Sequence, residues 1–545
     1  MSARSSQKPA QAQQPLAAAT PEKSQRKNKH ASPTLSPESP TVGTAKRSRS
    51  TDASQATSLM WFRTDLRVFD NEALSKACAA GRPVVALFVI AKGEWKHHDF
   101  APIKVDFVLR NLRTLAQSLA KLNIPLVVRT ADAVKDVRPV VLDVVSQIGA
   151  KKVFWNKELE IDESRRDARI AEDLTAAGVT VSVNNSQMVV LPDLVFTKDR
   201  SPYTVYTPYK NCWISVVDAS PNLLDLIPVP DPVAAALPEI VANYAKEHSE
   251  IPDALDEFPM PDELRKRAHA EWPAGERVAH ERLVTFLEQR GARYKDERDF
   301  PAKPSTSRLS TYQASGVISS KLCVRLAWEA NHKRLATGQP GLVHWISEVV
   351  WREFYRYILV KFPRVCMNKP FKLETDRVAW SYDKEKFESW CEGKTGYPIV
   401  DAAMRQLNTT GWMHNRLRMI AASFLTKDLL IDWRWGEKYF MQNLIDGDFA
   451  SNNGGWQWTA STGTDSQPYF RIFNPLLQSE KFDPEGVLIR EFVPELAGLS
   501  NDVIHEPSRK LSSKQLARIG YPEPMVDHGA ARNKCIAEFK RASGK

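Results

Sequence analysis

A stretch near residue 350 carries side chains that could stack an aromatic ligand and bond its polar edge. Periodic apolar residues predict a helix over 341–360. One face of that helix holds, at spacings i, i+3, i+4 and i+7, Glu348, Trp351, Arg352 and Tyr355. An acid, an indole and a guanidinium on one face suit the wall of a ligand cavity. On this helix alone, a partly buried surface stripe with an internal ion pair is the more frequent explanation.

A second polar group follows between 411 and 458. It combines amides, acids, a guanidinium, a thioether and two indoles: Asn415, Arg418, Met419, Asp446, Asp448, Asn452, Asn453, Trp456 and Trp458. The first three share one face of a predicted helix over 411–426, and Arg418 could pair with Asp446. Two glycines after Asn453 permit close backbone approach to a planar ligand. A turn between buried helices would explain the glycines, but not the density of polar and indole groups.

A third candidate is the segment Thr306-Ser307-Arg308-Leu309-Ser310, which precedes a predicted helix over 311–316. Small hydroxyl residues, a guanidinium and a helix N-terminus favour binding of an anion such as phosphate. A simple helix N-cap is the commoner use of such a segment.

Motifs of several common enzyme classes are missing from the sequence. No strand is followed by Gly-x-Gly-x-x-Gly, neither His-Glu-x-x-His nor Gly-x-Ser-x-Gly occurs, and Gly393-Lys394-Thr395 lacks the earlier glycine of a phosphate-binding loop. The six cysteines have no zinc spacing, and Asp446 with Asp448 has no further ligand nearby in sequence, so no metal site is predicted. Hydrolysis and nicotinamide redox chemistry therefore lack support.

Alternation of short apolar runs with amphipathic helices predicts a doubly wound parallel α/β domain over 58–190. Its predicted strands are Leu59–Phe62, Val84–Ile90, Leu126–Val128, Val153–Trp155 and Val179–Val183. Clustered prolines predict an interdomain linker over 191–275. Helical periods predict an all-α domain over 276–506, where ten of the 15 tryptophans lie within 328–458. The polar, basic residues 507–545 are expected to form a peripheral tail.

The net charge of +10 comes mostly from the start of the 545-residue chain. Residues 1–57 hold nine basic and three acidic side chains, whereas the other 488 residues hold 66 and 62. The segment has no aromatic residue, which predicts a disordered leader. Its basic clusters at 26–29 and 46–49 suit a bipartite nuclear signal or a solvated linker, and a mitochondrial presequence is a further alternative. No apolar run is long enough to cross a membrane.

Taken together, four segments closely resemble the photolyase/cryptochrome flavoproteins: Trp61–Arg67, Thr306–Ser310, Trp351–Tyr355 and Gly393–Phe473. The resemblance covers about 58–505. It implies an α/β domain followed by a helical FAD-binding domain, and the activity of a class I cyclobutane pyrimidine dimer DNA photolyase of eukaryotic, fungal type. One electron from photoexcited reduced FAD would split the dimer in UV-damaged DNA, so no protein nucleophile is needed. The alternatives are a cryptochrome-type blue-light signalling photoreceptor and a helical DNA-binding protein without flavin.

The resemblance also implies roles for matching residues. FAD contacts fall on Tyr294, Thr306, Ser307, Arg308, Leu309, Ser310, Arg418, Asp446, Gly447, Asp448 and Asn452. Asn452 would face flavin N5, where plant cryptochromes have an aspartate. The flipped dimer would be held by Glu348, Trp351, Tyr355, Asn415, Met419 and Trp458, and the DNA backbone by Arg298, Arg352, Arg416, Arg471 and Gln478. Photolyases of (6-4) lesions have histidines at positions 415 and 419, so a cyclobutane dimer is the expected substrate.

Two further sets of residues follow from the resemblance. Electrons would reach oxidised flavin through Trp456, Trp433 and Trp380, which join Glu348 and Asn452 in the implied catalytic set. The first domain would bind an antenna pigment through His98, Asp162 and Glu163, although Asp162 stands where an asparagine is expected. The expected antenna is 5,10-methenyltetrahydrofolate, with a deazaflavin or no antenna as alternatives. A monomer without a membrane partner is expected, in the nucleus, with the mitochondrion as a further alternative location.

Overall fold

The computed structural model describes residues 56–544. The predicted leader, with its basic clusters at 26–29 and 46–49, therefore lies outside the described residues. Within the described range, every helix is too short or too polar to cross a bilayer.

Five parallel strands form the sheet of the described N-terminal region: β1 (Thr57–Phe62), β2 (Val84–Ala91), β3 (Leu126–Ala131), β4 (Ala150–Asn156) and β5 (Thr180–Asn184). Their order is β3-β2-β1-β4-β5. The predicted doubly wound sheet is confirmed, because continuous apolar runs such as β1 and β2 are buried along their whole length. The neighbours of β1 on its two sides are β2 and β4. In open sheets of this kind, ligands bind at the carboxyl ends of strands where the winding direction reverses.

Five helices accompany this sheet: α1 (Glu72–Cys78), α2 (Lys92–His97), α3 (Pro102–Ala120), α4 (Val137–Gln147) and α5 (Ile161–Ala176). α3 buries Val105, Val108 and Leu112, at a helical spacing, in the core of the first domain. Because α2 follows β2 and α5 follows β4, both helices start beside the crevice at the edge of the sheet.

The proline-rich segment 191–275 is more ordered than an interdomain linker. It contains α6 (Tyr206–Ala219), α7 (Glu239–Glu247) and α8 (Asp262–Glu271). Two of its prolines, Pro238 and Pro261, are the residues before α7 and α8. Proline suits such a position because it has no N–H to leave unpaired. Pro238 and Pro261 thus mark helix starts, whereas Pro228, Pro230 and Pro232 lie in a stretch without helix or strand over 225–237.

The second half of the described chain is helical, which confirms the predicted all-α domain. Its helices over 276–506 are α9 (Glu276–Gln289), α10 (Tyr294–Glu297), α11 (Ser310–Ala314), α12 (Ser320–Ala330), α13 (Pro340–Lys361), α14 (Lys384–Glu392), α15 (Pro398–Thr410), α16 (Asn415–Ser423), α17 (Trp433–Asn443), α18 (Phe449–Ala460), α19 (Pro475–Phe482), α20 (Val487–Phe492) and α21 (Asn501–Ile504). A π-helical turn, Phe424–Asp428, continues α16.

Residues 507–544 pack onto this domain instead of forming a peripheral tail. They contain α22 (Pro507–Lys510), α23 (Ser513–Ile519) and α24 (His528–Ala542). α24 buries Cys535, Phe539 and Ala542, which are spaced i, i+4 and i+7. The Phe539 ring lies edge-on to Trp380, with centroids 5.8 Å apart. Although the composition of this segment is polar, the helical spacing of its few apolar residues indicates a helix that packs on the domain.

Candidate functional site

Three helices of the second domain meet where the predicted ligand residues lie. α18 packs against both α13 and α16. Where α18 crosses α13, the ring of Tyr355 lies against Gly454, and a Cβ on Gly454 would overlap it. A Cβ on Gly455 would meet no described atom within 4 Å beyond its own helix and neighbours. One of the two glycines therefore serves helix packing, and the other leaves room for a ligand.

The predicted pair between Arg418 and Asp446 is present. Arg418 Nη2 donates to both carboxylate oxygens of Asp446, at 2.9 and 2.8 Å. The Asp446 side chain is only 2% exposed. Arg418 Nε also donates to the carbonyl oxygen of Met413 at 2.8 Å, which fixes the guanidinium against the chain before α16. The pair compensates a buried carboxylate and joins α16 to the turn before α18.

Asp448 is held by two arginines of α13. It caps α18 by accepting the backbone N–H of Ser451 at 3.0 Å. Its Oδ2 lies 2.6 Å from Arg356 Nη2 and 3.3 Å from Arg352 Nη2. Burial alone would raise the pKa of Asp448, but the two guanidinium groups hold it well below its usual range. Asp448 therefore stays negatively charged, and its partners in the structure are Arg352, Arg356 and the N–H of Ser451.

Arg352 lies inside the protein, not on the DNA-facing surface that was expected for it. Its side chain is 14% exposed. It donates to the carbonyl oxygen of Gln313 at 3.0 Å and to Ser320 Oγ at 3.2 Å. Burial lowers the pKa of Arg352 to about 10. Helical spacing placed Arg352 on one stripe with Glu348, but it could not show that α11 and α12 cover that end of the stripe.

A network of amides fixes α18 against α17. Asn452 Nδ2 donates to the backbone carbonyl of Glu437 at 2.9 Å, and Asn453 Nδ2 donates to the Glu437 carboxylate at 2.8 Å. Gln457 Nε2 donates to Asn453 Oδ1 at 2.9 Å. The orientation of the Asn452 amide is therefore set by the protein before any ligand binds.

Glu437 is expected to make the stability of the protein depend on pH. Burial raises the pKa of Glu437 to about 7, above the value of about 4.3 in an unfolded chain. The stability that this group contributes is therefore complete below pH 4.3 and is lost as the pH rises through 7. Glu437→Gln keeps an acceptor for Asn453, and it should exceed the wild type in unfolding free energy by on the order of 3 kcal/mol above pH 8.

Urea unfolding at several values between pH 5 and pH 8.5 measures this difference. The exposed Glu392→Gln is the control, and its difference from the wild type should stay constant across the range. An equally constant difference for Glu437→Gln would contradict the prediction.

The segment 306–310 offers a ligand its side chains rather than the N-terminus of a helix. α11 has only five residues, so the helix N-terminus that was expected to bind an anion is too short to contribute much. Arg308, which has a left-handed backbone with φ of 51°, places its guanidinium 4.7 Å from the ring centre of Trp272 and 4.5 Å from that of Trp412. Arg308 Nη2 lies 3.2 Å from Glu271 Oε2.

Buried donors near this segment lack acceptors among residues 56–544: Arg308 Nε, Trp272 Nε1, Trp412 Nε1 and Thr311 Oγ1. A phosphate-bearing ligand would supply such acceptors, because unpaired buried donors are costly. Of the other residues expected at FAD, Tyr294 and Leu309 are buried, Thr306 and Ser307 are half-buried, and Ser310 is exposed. Together with the room at Gly455, these donors fit an anionic, partly planar cofactor such as FAD.

The expected lesion pocket has one preformed aromatic wall. The ring of Trp351 stacks face to face on Tyr206, with centroids 3.6 Å apart and planes 11° apart. Arg298 Nη1 donates to Glu348 Oε1, so the Glu348 carboxylate is already paired before any ligand binds. Asn415 is exposed at the start of α16, and its Nδ2 lies 3.8 Å from Met419 Sδ.

Trp458 is half-buried on α18. Tyr206 was missed because it lies in the segment taken as a linker, although aromatic residues at 206, 209 and 213 follow a helical period.

The other residues expected to bind DNA phosphates differ in exposure. Arg416 pairs with Asp299 at 2.8 Å and lies 4.4 Å from the ring centre of Phe482. Arg471 is exposed in the loop before α19, and Gln478 is half-buried on α19. Arg298, Arg416, Arg471 and Gln478 therefore remain as candidates, without Arg352.

The three tryptophans expected to carry electrons belong to one hydrophobic cluster. Trp433 is fully buried, Trp456 nearly so, and Trp380 is 8% exposed. The indole packed against Trp456 is a fourth one, Trp390, whose ring centre is 6.1 Å away. Trp390 was missed, because nothing in the sequence separates an indole next to the site from one in the general core.

A cavity of about 550 Å³ lies between the first domain and the helical domain, where His98, Asp162 and Glu163 line one side and Arg356, Asp448 and Phe449 line the other. His98 Nε2 lies 3.3 Å from Glu163 Oε1, yet neither this nitrogen nor Glu163 Oε2 has a hydrogen-bond partner in the described part of the chain. Burial lowers the pKa of His98 and, with the nearby Glu160, raises that of Glu163. Such polar atoms fit a polar organic ligand at the carboxyl edge of the sheet.

Two further features mark the ends of this cavity. At its mouth, His97, His98 and Asp162 bring potential metal-ligand atoms within 4.8 Å of one another, a grouping that the sequence did not predict. At its inner end, Lys104 Nζ donates to the carbonyl oxygen of Gly447 at 2.6 Å. Gly447 separates Asp446 from Asp448, so the cavity reaches the backbone of the turn that precedes α18.

A doubly wound sheet with a crevice ligand site, followed by a helical domain with a polar, indole-lined site, defines a two-domain protein built to hold large planar ligands. A family model described as DNA photolyase matches residues 58–231, and one described as FAD binding domain of DNA photolyase matches residues 345–541. The chain belongs to the photolyase/cryptochrome family.

Relatives within this family include photolyases and a cryptochrome. The deoxyribodipyrimidine photo-lyase of Neurospora crassa is 44% identical over 499 residues, which cover 88% of this chain and 81% of the relative. A class III photolyase from Agrobacterium tumefaciens has a TM-score of 0.75 at 35% identity, covering 91% of this chain and all of that chain. A cryptochrome from Synechocystis has a TM-score of 0.76 at 28% identity, covering 88% and 99%. The curated relatives from Vibrio cholerae and Escherichia coli, 43% and 41% identical, are likewise named deoxyribodipyrimidine photo-lyase, so the chain is a photolyase-type DNA repair enzyme.

Proposed function

We propose that this chain is a light-dependent DNA repair enzyme that splits cyclobutane pyrimidine dimers with FAD as its cofactor. The observation that carries the proposal is the preformed wall on α13, where Trp351 stacks on Tyr206 and Glu348 pairs with Arg298. Asn415 is exposed at the start of α16. An indole face can stack an apolar cyclobutane ring, while a carboxylate and an amide can bond the polar edges of two pyrimidines. The wall would have no evident use in a signalling protein.

The chain's own residues would bind and orient both reactants. FAD, when bound, supplies a photoexcited electron for splitting the dimer. Arg308 would meet the cofactor's phosphates, Asp446 held by Arg418 would bond its flavin–ribose side, and Asn452 would present a fixed amide to the flavin. Glu348 and Trp351 would hold the dimer, with Trp458 as the second indole. No side chain needs to attack the substrate, because the cofactor carries the chemistry.

DNA binding would rest on a few arginines rather than on overall charge. Arg298, Arg416, Arg471 and Gln478 would contact phosphates around the flipped dimer, and such contacts position the duplex without reading its sequence. Trp456, Trp433 and Trp380 would return oxidised flavin to its reduced state. The cavity at His98 and Glu163 supports a bound antenna, with methenyltetrahydrofolate as the first candidate. The basic clusters at 26–29 and 46–49 support a nuclear location, and a mitochondrial one is the second candidate.

Repair of dimer-containing DNA under blue light tests the proposal. Purified protein with bound FAD should restore pyrimidine monomers in light and not in the dark. Trp351→Ala should weaken binding of a dimer-containing duplex by about 1–3 kcal/mol, as for a lost base stack, which is about 5- to 150-fold.

Trp328→Ala removes a half-buried indole on α12 and is the control, expected to bind the duplex as the wild type does. Light without repair, in protein that holds FAD, would overturn the proposal in favour of a signalling photoreceptor.

A further inference from the structure

We propose that Tyr206 is a positioning residue that fixes the Trp351 indole for stacking on the lesion. This inference rests on the proposed function, because it assigns Tyr206 a role only through Trp351. Tyr206 is the first residue of α6, within the segment between the two domains, and it is almost fully buried.

The two rings form the closest aromatic stack in the described part of the chain, with centroids 3.6 Å apart and planes 11° apart. Phe354 meets both rings edge-on, at 5.7 Å from Tyr206 and 5.6 Å from Trp351. Tyr206 thus occupies one broad face of the indole. A lesion that stacks on Trp351 must therefore use the opposite face, and it meets an indole that cannot turn freely.

Tyr206 is itself held at both ends. Its hydroxyl donates to the carbonyl oxygen of Ser347 at 2.6 Å, one turn before Trp351 on the same helix. Its backbone N–H donates to Asp465 Oδ2 at 3.0 Å. Burial raises the pKa of the Tyr206 hydroxyl further above its ordinary value, so this group stays a donor at any working pH.

The chain just before Tyr206 also contacts the loop that follows Trp458. Thr464 Oγ1 donates to the carbonyl oxygen of Thr204 at 2.6 Å, and the N–H of Gln467 lies 3.3 Å from the carbonyl oxygen of Trp458. Residues 204–206 therefore connect α13, which carries Trp351, to the loop after α18, which carries Trp458. These contacts restrict the rotamers of the Trp351 indole before the lesion binds. Less rotamer freedom is then lost on binding, which favours the bound state.

Binding of dimer-containing and undamaged duplexes by the FAD-loaded protein tests this role. Tyr206→Ala should weaken dimer binding roughly five- to tenfold, as expected for loss of an aromatic pair, and should leave undamaged DNA unaffected. Tyr206→Phe keeps the stacked ring and should stay within about threefold of the wild type. If Tyr206→Ala does not fold, Tyr206→Leu preserves bulk without the stack and takes its place.

Tyr209 provides a matched structural control. It lies on the same helix and is fully buried, but its ring packs against Phe354 and Tyr357. Tyr209→Leu should lower the melting temperature as much as Tyr206→Leu does, without changing the preference for damaged DNA. Equal losses of that preference in both variants would overturn the proposal, because they would indicate a general packing effect.

A double variant separates this inference from the proposed function. If Tyr206 acts through Trp351, Tyr206→Ala combined with Trp351→Ala should bind the dimer no more weakly than Trp351→Ala alone. An added loss in the double variant would overturn the positioning role while leaving the lesion pocket intact. Unchanged binding by Trp351→Ala alone would instead remove the pocket itself, and the positioning role with it.

Discussion

Replacing Trp380 by phenylalanine is expected to abolish photoreduction of oxidised FAD in the purified protein. Trp380 is the most exposed member of the proposed chain of tryptophans, at 8% against 2% for Trp456 and 0% for Trp433. A benzene ring is far harder to oxidise than an indole, so phenylalanine keeps the packing against Phe539 but cannot pass on an electron. The rate of photoreduction should fall at least a hundredfold, while protein reduced chemically beforehand should still repair DNA.

The bleaching of the oxidised flavin absorption under blue light, with an external reductant, measures this rate. Trp435→Phe is the matched control, because Trp435 is a half-buried indole that packs against Tyr382 and Phe387 in the same cluster. Its photoreduction rate should equal that of the wild type. Normal photoreduction in Trp380→Phe would show that electrons leave by another route, and Trp390, beside Trp456, would be the first residue to replace.

The sheet could be predicted because its sequence signal is local. Apolar runs such as Val84–Ile90 are buried on both faces, so all their residues are apolar. Such a strand can be recognised without an alternation of apolar and polar residues. The strand ends were predicted less well: β4 starts three residues before the predicted Val153, at residues that are partly exposed. The Arg418–Asp446 pair could also be predicted, since an acid and a guanidinium in adjoining polar segments favour each other wherever both are buried.

The rest of the site depends on contacts between distant segments. Spacing on α13 placed Arg352 beside Glu348, but only the packing of α11 and α12 turns Arg352 inward. Tyr206 lies 145 positions before Trp351 in the chain, and the prolines around it suggested a connection rather than a helix. Arg308 has a left-handed backbone, which is uncommon for a non-glycine residue, and its guanidinium lies against the rings of Trp272 and Trp412. Each of these features is a tertiary constraint without a local sequence signal.

Replacing Arg418 by alanine should remove FAD from the protein and lower its unfolding free energy by about 3–5 kcal/mol. The loss is large because Asp446, with its side chain 2% exposed, would stay buried without the two hydrogen bonds from Arg418. The bond to the Met413 carbonyl oxygen would also disappear. The ratio of flavin to protein absorption after purification should fall below about a tenth of the wild-type value, as expected for several kcal/mol of lost binding.

A neighbouring arginine and a double variant separate the causes of this loss. Arg416→Ala removes a guanidinium from the same helix whose partner, Asp299, is 34% exposed, so the loss of stability should be smaller than for Arg418→Ala and FAD content should change little. Arg418→Ala combined with Asp446→Ala leaves no unpaired buried carboxylate, so most of the stability should return, while FAD should stay absent because the carboxylate proposed to contact it is gone. Recovery of FAD binding in the double variant would show that Asp446 serves only the fold, and it would remove Asp446 from the cofactor site.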